Sequence, residues 1–160
     1  MDKARRKGDD GSRKTRLSHL DAAGRIRMVD VGSKPATARE AVARGRIAIS
    51  AAAINQIRRG GMKKGDPPET ARLAGIMAAK QTSSLIPLCH PVQLSHADVR
   101  LTRVKGGYEI EAVARTTGPT GVEMEALTAV AVAALTIYDM VKAVDKTMVI
   151  GDIRLVKKTK

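Results

Sequence analysis

Asp139 and Lys142 stand three residues apart near the end of a long apolar run, and they are the pair in this sequence best placed to do chemistry. Residues three apart on a helix share a face, so a carboxylate and an ammonium there form either an acid/base couple or a plain ion pair. Between Val130 and Val144 the only strongly polar residues are Thr136, Asp139 and Lys142, with Tyr138 adding a hydroxyl. A lysine near a helix C-terminus complements the helix dipole. An aspartate there is opposed by it, and on a buried Ala-rich helix it also loses solvation, so it requires a partner or a function. On these residues alone the structural and the catalytic readings stand level.

At the other end of the same run is Gly121-Val122-Glu123-Met124-Glu125. Carboxylates in a first helical turn suit the dipole, and two at i and i+2 point to different sides, so capping is the favoured reading and an acid/base dyad is not. His90 lies between Cys89 and Pro91, with Pro87 just upstream. A loop stiffened by two prolines can present a side chain for binding or proton transfer, although a lone histidine is more often a hydrogen-bonded bystander. No second His or Cys lies at ligand spacing, since His96 is six residues on, so no metal site is expected. Cys89 is the only cysteine, which excludes an intrachain disulfide, and it reads as a packing residue. Basic clusters occur at Arg58, Arg59, Lys63 and Lys64, beside Gly60, Gly61 and Gly65, and again at Arg154, Lys157, Lys158 and Lys160. Lys34 and Arg39 straddle an expected helix start, a place that favours anions. Solvated surface charge is the plain reading of each cluster; together they suggest a polyphosphate ligand.

The elements that must position these groups can be read from period and punctuation. Residues 25–31, RIRMVDV, alternate as a strand does. Pro35 suits a first helical turn, so residues 36–45 are expected to be helical with Gly45 as the stop. Residues 46–50 form a second strand candidate, and Ser50 is expected to cap a helix over 51–59 that Gly60-Gly61 ends. A helix follows over 69–81, with Leu73, Ile76, Met77 and the Lys80 stem on one face. Residues 83–93, punctuated by Pro87 and Pro91, are neither helix nor central strand. Strands over 97–104 and 108–115 flank Lys105-Gly106-Gly107, a hairpin signal. The long helix covers 122–144, and 147–156 closes the chain as a strand. With one early strand counted, the order is β-α-β-β-α-β, that of an α+β ferredoxin-like sandwich in which an antiparallel sheet packs against helices.

A chain of 160 residues, 43% hydrophobic, is long enough to bury a core of its own. Only Tyr108 and Tyr138 are aromatic, so each core residue buries little area, which favours an oligomer. The net charge is +13. The first 16 residues carry +4 of it, and residues 1–17 read as a disordered basic extension ahead of a single domain over 18–160. The remaining +9 implies that the folded part attracts anions: nucleic acid, an acidic membrane surface or a polyphosphate. No charge-free apolar stretch of about 18 residues exists to span a bilayer, and no secretory signal precedes the domain, so a cytoplasmic protein is expected. A basic α+β module that binds nucleic acid is the main alternative, weakened because the strands offer only Tyr108 for base stacking.

Beyond these general signals, several segments together are distinctive. Met28-Val29-Asp30-Val31, the KGD at Lys64–Asp66, TARLAGIMAAK at Thr70–Lys80, LIPLCHP at Leu85–Pro91 and GVEMEALTAVAVAALTIYDMVKAV at Gly121–Val144 resemble, in colinear order, the cyclic pyranopterin monophosphate synthase family, also called the molybdenum-cofactor biosynthesis protein C family. The resemblance covers about residues 17–158. It implies a ferredoxin-like fold assembled as a hexamer, a trimer of dimers, with sites at subunit interfaces. It further implies a lyase-type rearrangement of (8S)-3',8-cyclo-7,8-dihydroguanosine 5'-triphosphate, with diphosphate leaving and no metal or organic cofactor. By the same resemblance Asp139 and Lys142 are catalytic; Leu88, Cys89, His90, Met124 and Glu125 bind substrate; and Glu123, Lys64, Lys34, Arg39 and Asp30 line the pocket. The chemistry then expected is proton transfer by a Lys142 of lowered pKa with Asp139 orienting it, His90 bonding the substrate, and Lys34, Arg39 and Lys64 stabilising the leaving diphosphate. The basic residues 1–16 lie outside the pattern, and the roles of Lys157 and Lys158 stay open.

Overall fold

The computed structural model describes residues 23–160. The extension expected over 1–17 lies outside them. Four strands, β1 (Thr37–Ala48), β2 (His96–Val104), β3 (Gly107–Gly118) and β4 (Val149–Thr159), form one sheet in the order β2-β3-β1-β4. All three pairings are antiparallel. The helices are α1 (Ala51–Arg58), α2 (Pro67–Lys80), the single turn α3 (Thr82–Leu85) and α4 (Glu123–Val141). α2 and α4 pack against each other and on the same face of the sheet, which gives the α+β sandwich that the element order implied.

The early part of the chain departs from its reading. Residues 36–45 are not a helix: from Thr37 they belong to β1, which runs on through the strand expected at 46–50. Alternation explains it. Ala41, Ala43, Gly45 and Ile47 point into the core, while Arg44 and Arg46 on the other face are exposed. Alanine's helix preference masks a period of two that burial on one sheet face enforces. Lys34 and Arg39 therefore do not straddle a helix start. Residues 25–31 are irregular apart from an isolated bridge at Ile26, so the alternation there does not become a strand of the sheet.

α2 also turns its other side inward. Leu73 is 60% exposed and Met77 52%, whereas Ala71, Gly75, Ala78 and Ala79 are buried. The contact with α4 is close enough to require small residues. A Cβ at Gly75 would lie 2.8 Å from the Ala129 carbonyl oxygen and 2.9 Å from Val99 Cγ2. Leu73 and Met77 are left outside because the helix pair has no room for them, while Ile76 is partly buried against the core.

α4 is the central core element. Ala126, Ala129, Val130, Ala133, Ala134, Ile137 and Val141 are buried against the sheet and α2. It is long and apolar enough to cross a bilayer by length and composition, but it serves here as the core helix of the sandwich. Just beyond it, buried Asp145 accepts the Ser50 N–H at 2.7 Å and both the N–H and hydroxyl of Thr147. Ser50 in turn caps α1 through Ala53 N–H. One carboxylate thus fastens the exit of α4 to the entry of α1. These bonds hold its pKa down to about 2. A depressed carboxylate pKa adds stability that is present above the unfolded value of about 3.9 and is lost as pH falls through the folded one. Asp145→Asn is expected to cost on the order of 2 kcal/mol at pH 7. The gap from wild type should narrow between about pH 4 and pH 2, as denaturant melts at several pH values would show.

Candidate active site

The last turn of α4 carries Asp139 into a cluster of cations. Asp139 Oδ1 meets Lys142 Nζ at 2.7 Å, and Oδ2 meets Lys64 Nζ at 2.6 Å. Lys64 also donates to the Asp139 carbonyl at 3.4 Å, one of the carbonyls at the helix end. Both lysines answer the dipole objection to an aspartate at this position. Its side chain is 54% exposed, so burial is not the problem the sequence posed. A hollow of about 410 Å³ opens beside the cluster, walled by Met62, Met140 and Val144 and edged by Lys63, Lys64, Lys142 and Gln56. Hydrogen bonds from Lys142 and then Lys64 hold the Asp139 carboxyl down to about 2. The same bond to Asp139 raises Lys142 above the ordinary lysine value. The lowered Lys142 pKa expected from cationic neighbours is thereby overturned: its nearest neighbour is an anion.

The first turn of α4 builds a second cluster. Glu125 is 2% exposed, with Oε1 3.8 Å from Cys89 Sγ and Oε2 buried without a partner. Burial pushes the Glu125 carboxyl up, and burial together with the Glu125 charge raises the Cys89 thiol. Cys89 is therefore a protonated donor at neutral pH rather than a nucleophile. Glu123 is paired with Lys158, and its charge also adds to the field that raises Glu125 and Cys89. Burial raises its carboxyl, but the Lys158 ammonium and its own backbone N–H outweigh that and hold it below the usual range. Arg39, facing the helix layer from β1, adds to this field, and its Nε is buried without a partner. A hollow of about 330 Å³ is lined by Lys34, Leu88, Cys89, His90 and Gly121, with Val29 and Val31 at its rim. The His90 Nε2 lies 2.6 Å from the Val29 carbonyl oxygen, a contact that requires Nε2 to donate and leaves Nδ1 as the acceptor in the neutral ring. Glu125 Oε2 and Arg39 Nε, both near the first turn of α4, are buried polar atoms whose pairing the described residues do not supply.

The expected site residues thus fall into two groups that one chain does not join. Asp139, Lys142 and Lys64 sit at the C-terminal end of α4. Leu88, Cys89, His90, Glu123, Glu125, Lys34 and Arg39 gather at its N-terminal end, where Met124 is partly exposed. Sixteen residues of helix separate Glu123 from Asp139, roughly 24 Å at 1.5 Å per residue. Asp30 caps the Gly32 N–H at 2.8 Å and lies in the exposed segment before β1. Among the described residues, no three His, Cys, Asp or Glu side chains assemble as a metal-ligand set.

Comparison with known sequences decides the lineage: the description "MoaC family" matches residues 28–160. The chain belongs to the MoaC family. Its relatives include a protein named cyclic pyranopterin monophosphate synthase from Chloroflexus aggregans, 65% identical over 144 residues, which cover 89% of this chain and 87% of the relative. A protein of the same name from Roseiflexus castenholzii is 58% identical over 145 residues, covering 89% and 92%. One from Parvibaculum lavamentivorans is 55% identical over 146, covering 90% and 91%.

The MoaC fold also places residues whose roles the sequence leaves open or does not mark. Lys158 grips Glu123 beside the His90 hollow, while Lys157, one residue earlier, reaches Glu40 on the opposite sheet face. Strand alternation splits the two lysines, a signal available once the final segment is read as a strand through 159. Gln56, Met62 and Met140 line the Asp139 hollow with no sequence pattern to mark them. The open sheet face has a hollow of its own, with Arg44, Arg46, Arg100 and Arg154 interleaved with Glu109, Glu111 and Asp152. It holds none of the expected residues. Tyr108 is 6% exposed, so it offers no stacking surface for bases, and the nucleic-acid alternative is not favoured.

Proposed function

We propose that this MoaC-family chain converts (8S)-3',8-cyclo-7,8-dihydroguanosine 5'-triphosphate to cyclic pyranopterin monophosphate and diphosphate, a step of molybdenum-cofactor biosynthesis carried out in the cytoplasm. The Lys64–Asp139–Lys142 cluster beside its hollow carries the reading, within a family whose relatives bear the name of that synthase. Lys142, held protonated by Asp139, acts first as a general acid toward a ring nitrogen and returns as base once its proton is gone. Lys64 divides its charge between Asp139 and the ligand. Lys34, Arg39 and His90 hold the phosphates, with the N-terminus of α4 adding to their field. The buried Glu125 carboxyl, with one oxygen left free by the protein, and the Cys89 thiol beside it offer hydrogen-bonding groups for a purine- or pterin-like ring edge.

The site is completed between two copies of the chain, each giving opposite ends of α4, and the assembly is a homo-oligomer, taken as a hexamer. Large apolar side chains left outside on the helix layer support this: Leu73 and Met77 on α2, and Leu135 on α4, which is 58% exposed. Incubation with the cyclised nucleotide and measurement of released diphosphate tests the reaction. Stoichiometric diphosphate with a pterin product is the expected result; a chain that binds the nucleotide without releasing diphosphate contradicts it.

A further inference from the structure

Lys64 reaches Asp139 from the short connection between α1 and α2, and one side chain ties that connection down. α1 ends in a Schellman motif, with Gly61 N–H donating to the Gln56 carbonyl at 3.1 Å and Gly60 N–H to the Ile57 carbonyl at 3.0 Å, while Gly60 takes φ +67°. The motif uses only backbone atoms, so any residue at 56 could supply it. Gln56 does more: its Nε2 donates to the Gly61 carbonyl at 3.2 Å. Gly61 is therefore held at both its N–H and its C=O by one residue. Three residues later Lys64 meets Asp139, and in between the Met62 carbonyl accepts the Gly65 N–H at 3.2 Å. Asp66 then caps α2 through Glu69 N–H. These bonds shape the backbone path from Gln56 to Asp66, and among the described residues the Gln56 amide is the side-chain tie on its α1 side. Gln56 also lines the hollow that Lys64, Asp139 and Lys142 edge.

We propose that Gln56 is a positioning residue, clamping Gly61 so that Lys64 is delivered to Asp139 in a single geometry. The inference rests on the function proposed above. Gln56 makes no proton transfer; it acts through Lys64. Misplacing a charged group in a preorganised site lowers the rate of the chemical step more than it lowers binding.

The test compares wild type with Gln56→Met, which keeps length and shape but cannot donate. kcat for diphosphate release should fall about three- to tenfold, the size expected for one partly exposed hydrogen bond, with KM moving less than about twofold. In a Lys64→Ala background, assayed under single turnover, the same substitution should have no further effect, because the path through Lys64 is already gone. Hydrogen exchange gives a readout independent of activity: the Gly61 and Gly65 amides should exchange faster in Gln56→Met while those inside α1 keep their protection. Wild-type kcat in Gln56→Met, an undiminished loss on top of Lys64→Ala, or unchanged exchange at Gly61 each overturns the inference. Failure of the wild-type chain itself to release diphosphate would refute the underlying function instead, and the exchange measurement still decides whether the clamp exists.

Discussion

Lys142→Ala and Asp139→Ala are each expected to lower kcat by about 10²- to 10⁴-fold, the range a positioned acid/base group contributes, while the fold and its melting behaviour stay those of wild type. Both side chains are more than half exposed, so neither is a core element whose loss would unfold the helix. The charge states give the pH dependence. Asp139, with its pKa held to about 2, is ionised at every pH where the protein works, so no acid limb of kcat belongs to it in the free protein. Lys142 is raised by the bond to Asp139, so it stays protonated through neutral pH and its proton is lost only above the ordinary lysine range. Activity that depends on protonated Lys142 should therefore persist to high pH and fall there. In Asp139→Asn the cause of the raised value is removed, and the basic limb should move to lower pH. Lys142→Arg should not restore the rate, since a guanidinium does not give up its proton. Near-normal kcat in either alanine variant, measured as diphosphate release, would remove that residue from the chemistry.

The two ends of α4 are legible in the sequence for different reasons. Asp139 stands out by contrast, a charge near the C-terminus of an apolar run. Its partner does not, because Lys64 lies 75 residues away and only the fold brings it there. Prolines mark the Cys89–His90 loop, but its contact with Val29 and the orphaned Glu125 Oε2 depend on packing of segments distant in sequence. β1 is hidden because alanine carries no clear preference for one face, and the pairing with β3 and β4 that buries Ala41 and Ala43 is non-local. In α2 the size of a side chain is a false guide to burial. The close approach at Gly75 reverses the usual rule, and the displaced Leu73 and Met77 become surface that a second copy can cover.

The second large effect follows from the separation of the two clusters. Asp139→Asn and His90→Ala are each expected to keep only a residual rate alone, about a hundredfold or more below wild type, and a one-to-one mixture allowed to exchange subunits should regain about a quarter of wild-type activity. In the proposed assembly each complete site takes the C-terminal end of α4 from one copy and the N-terminal end from another. Random assembly therefore gives one site in four with both ends intact. Mixing two variants of the same end, such as Asp139→Asn with Lys142→Ala, should regain nothing. A site contained in one chain would give no recovery from either mixture.

The central claim is that one substrate molecule bridges the two ends of α4 from different copies of the chain. A crystal structure of the assembled protein with the cyclised nucleotide bound, in the slow Lys142→Ala variant, measures this most directly. The ligand should lie with Asp139 and Lys64 of one copy on one side, and His90, Lys34 and Glu125 of another on the other. A ligand held entirely by one chain, or seated away from both clusters, contradicts the account.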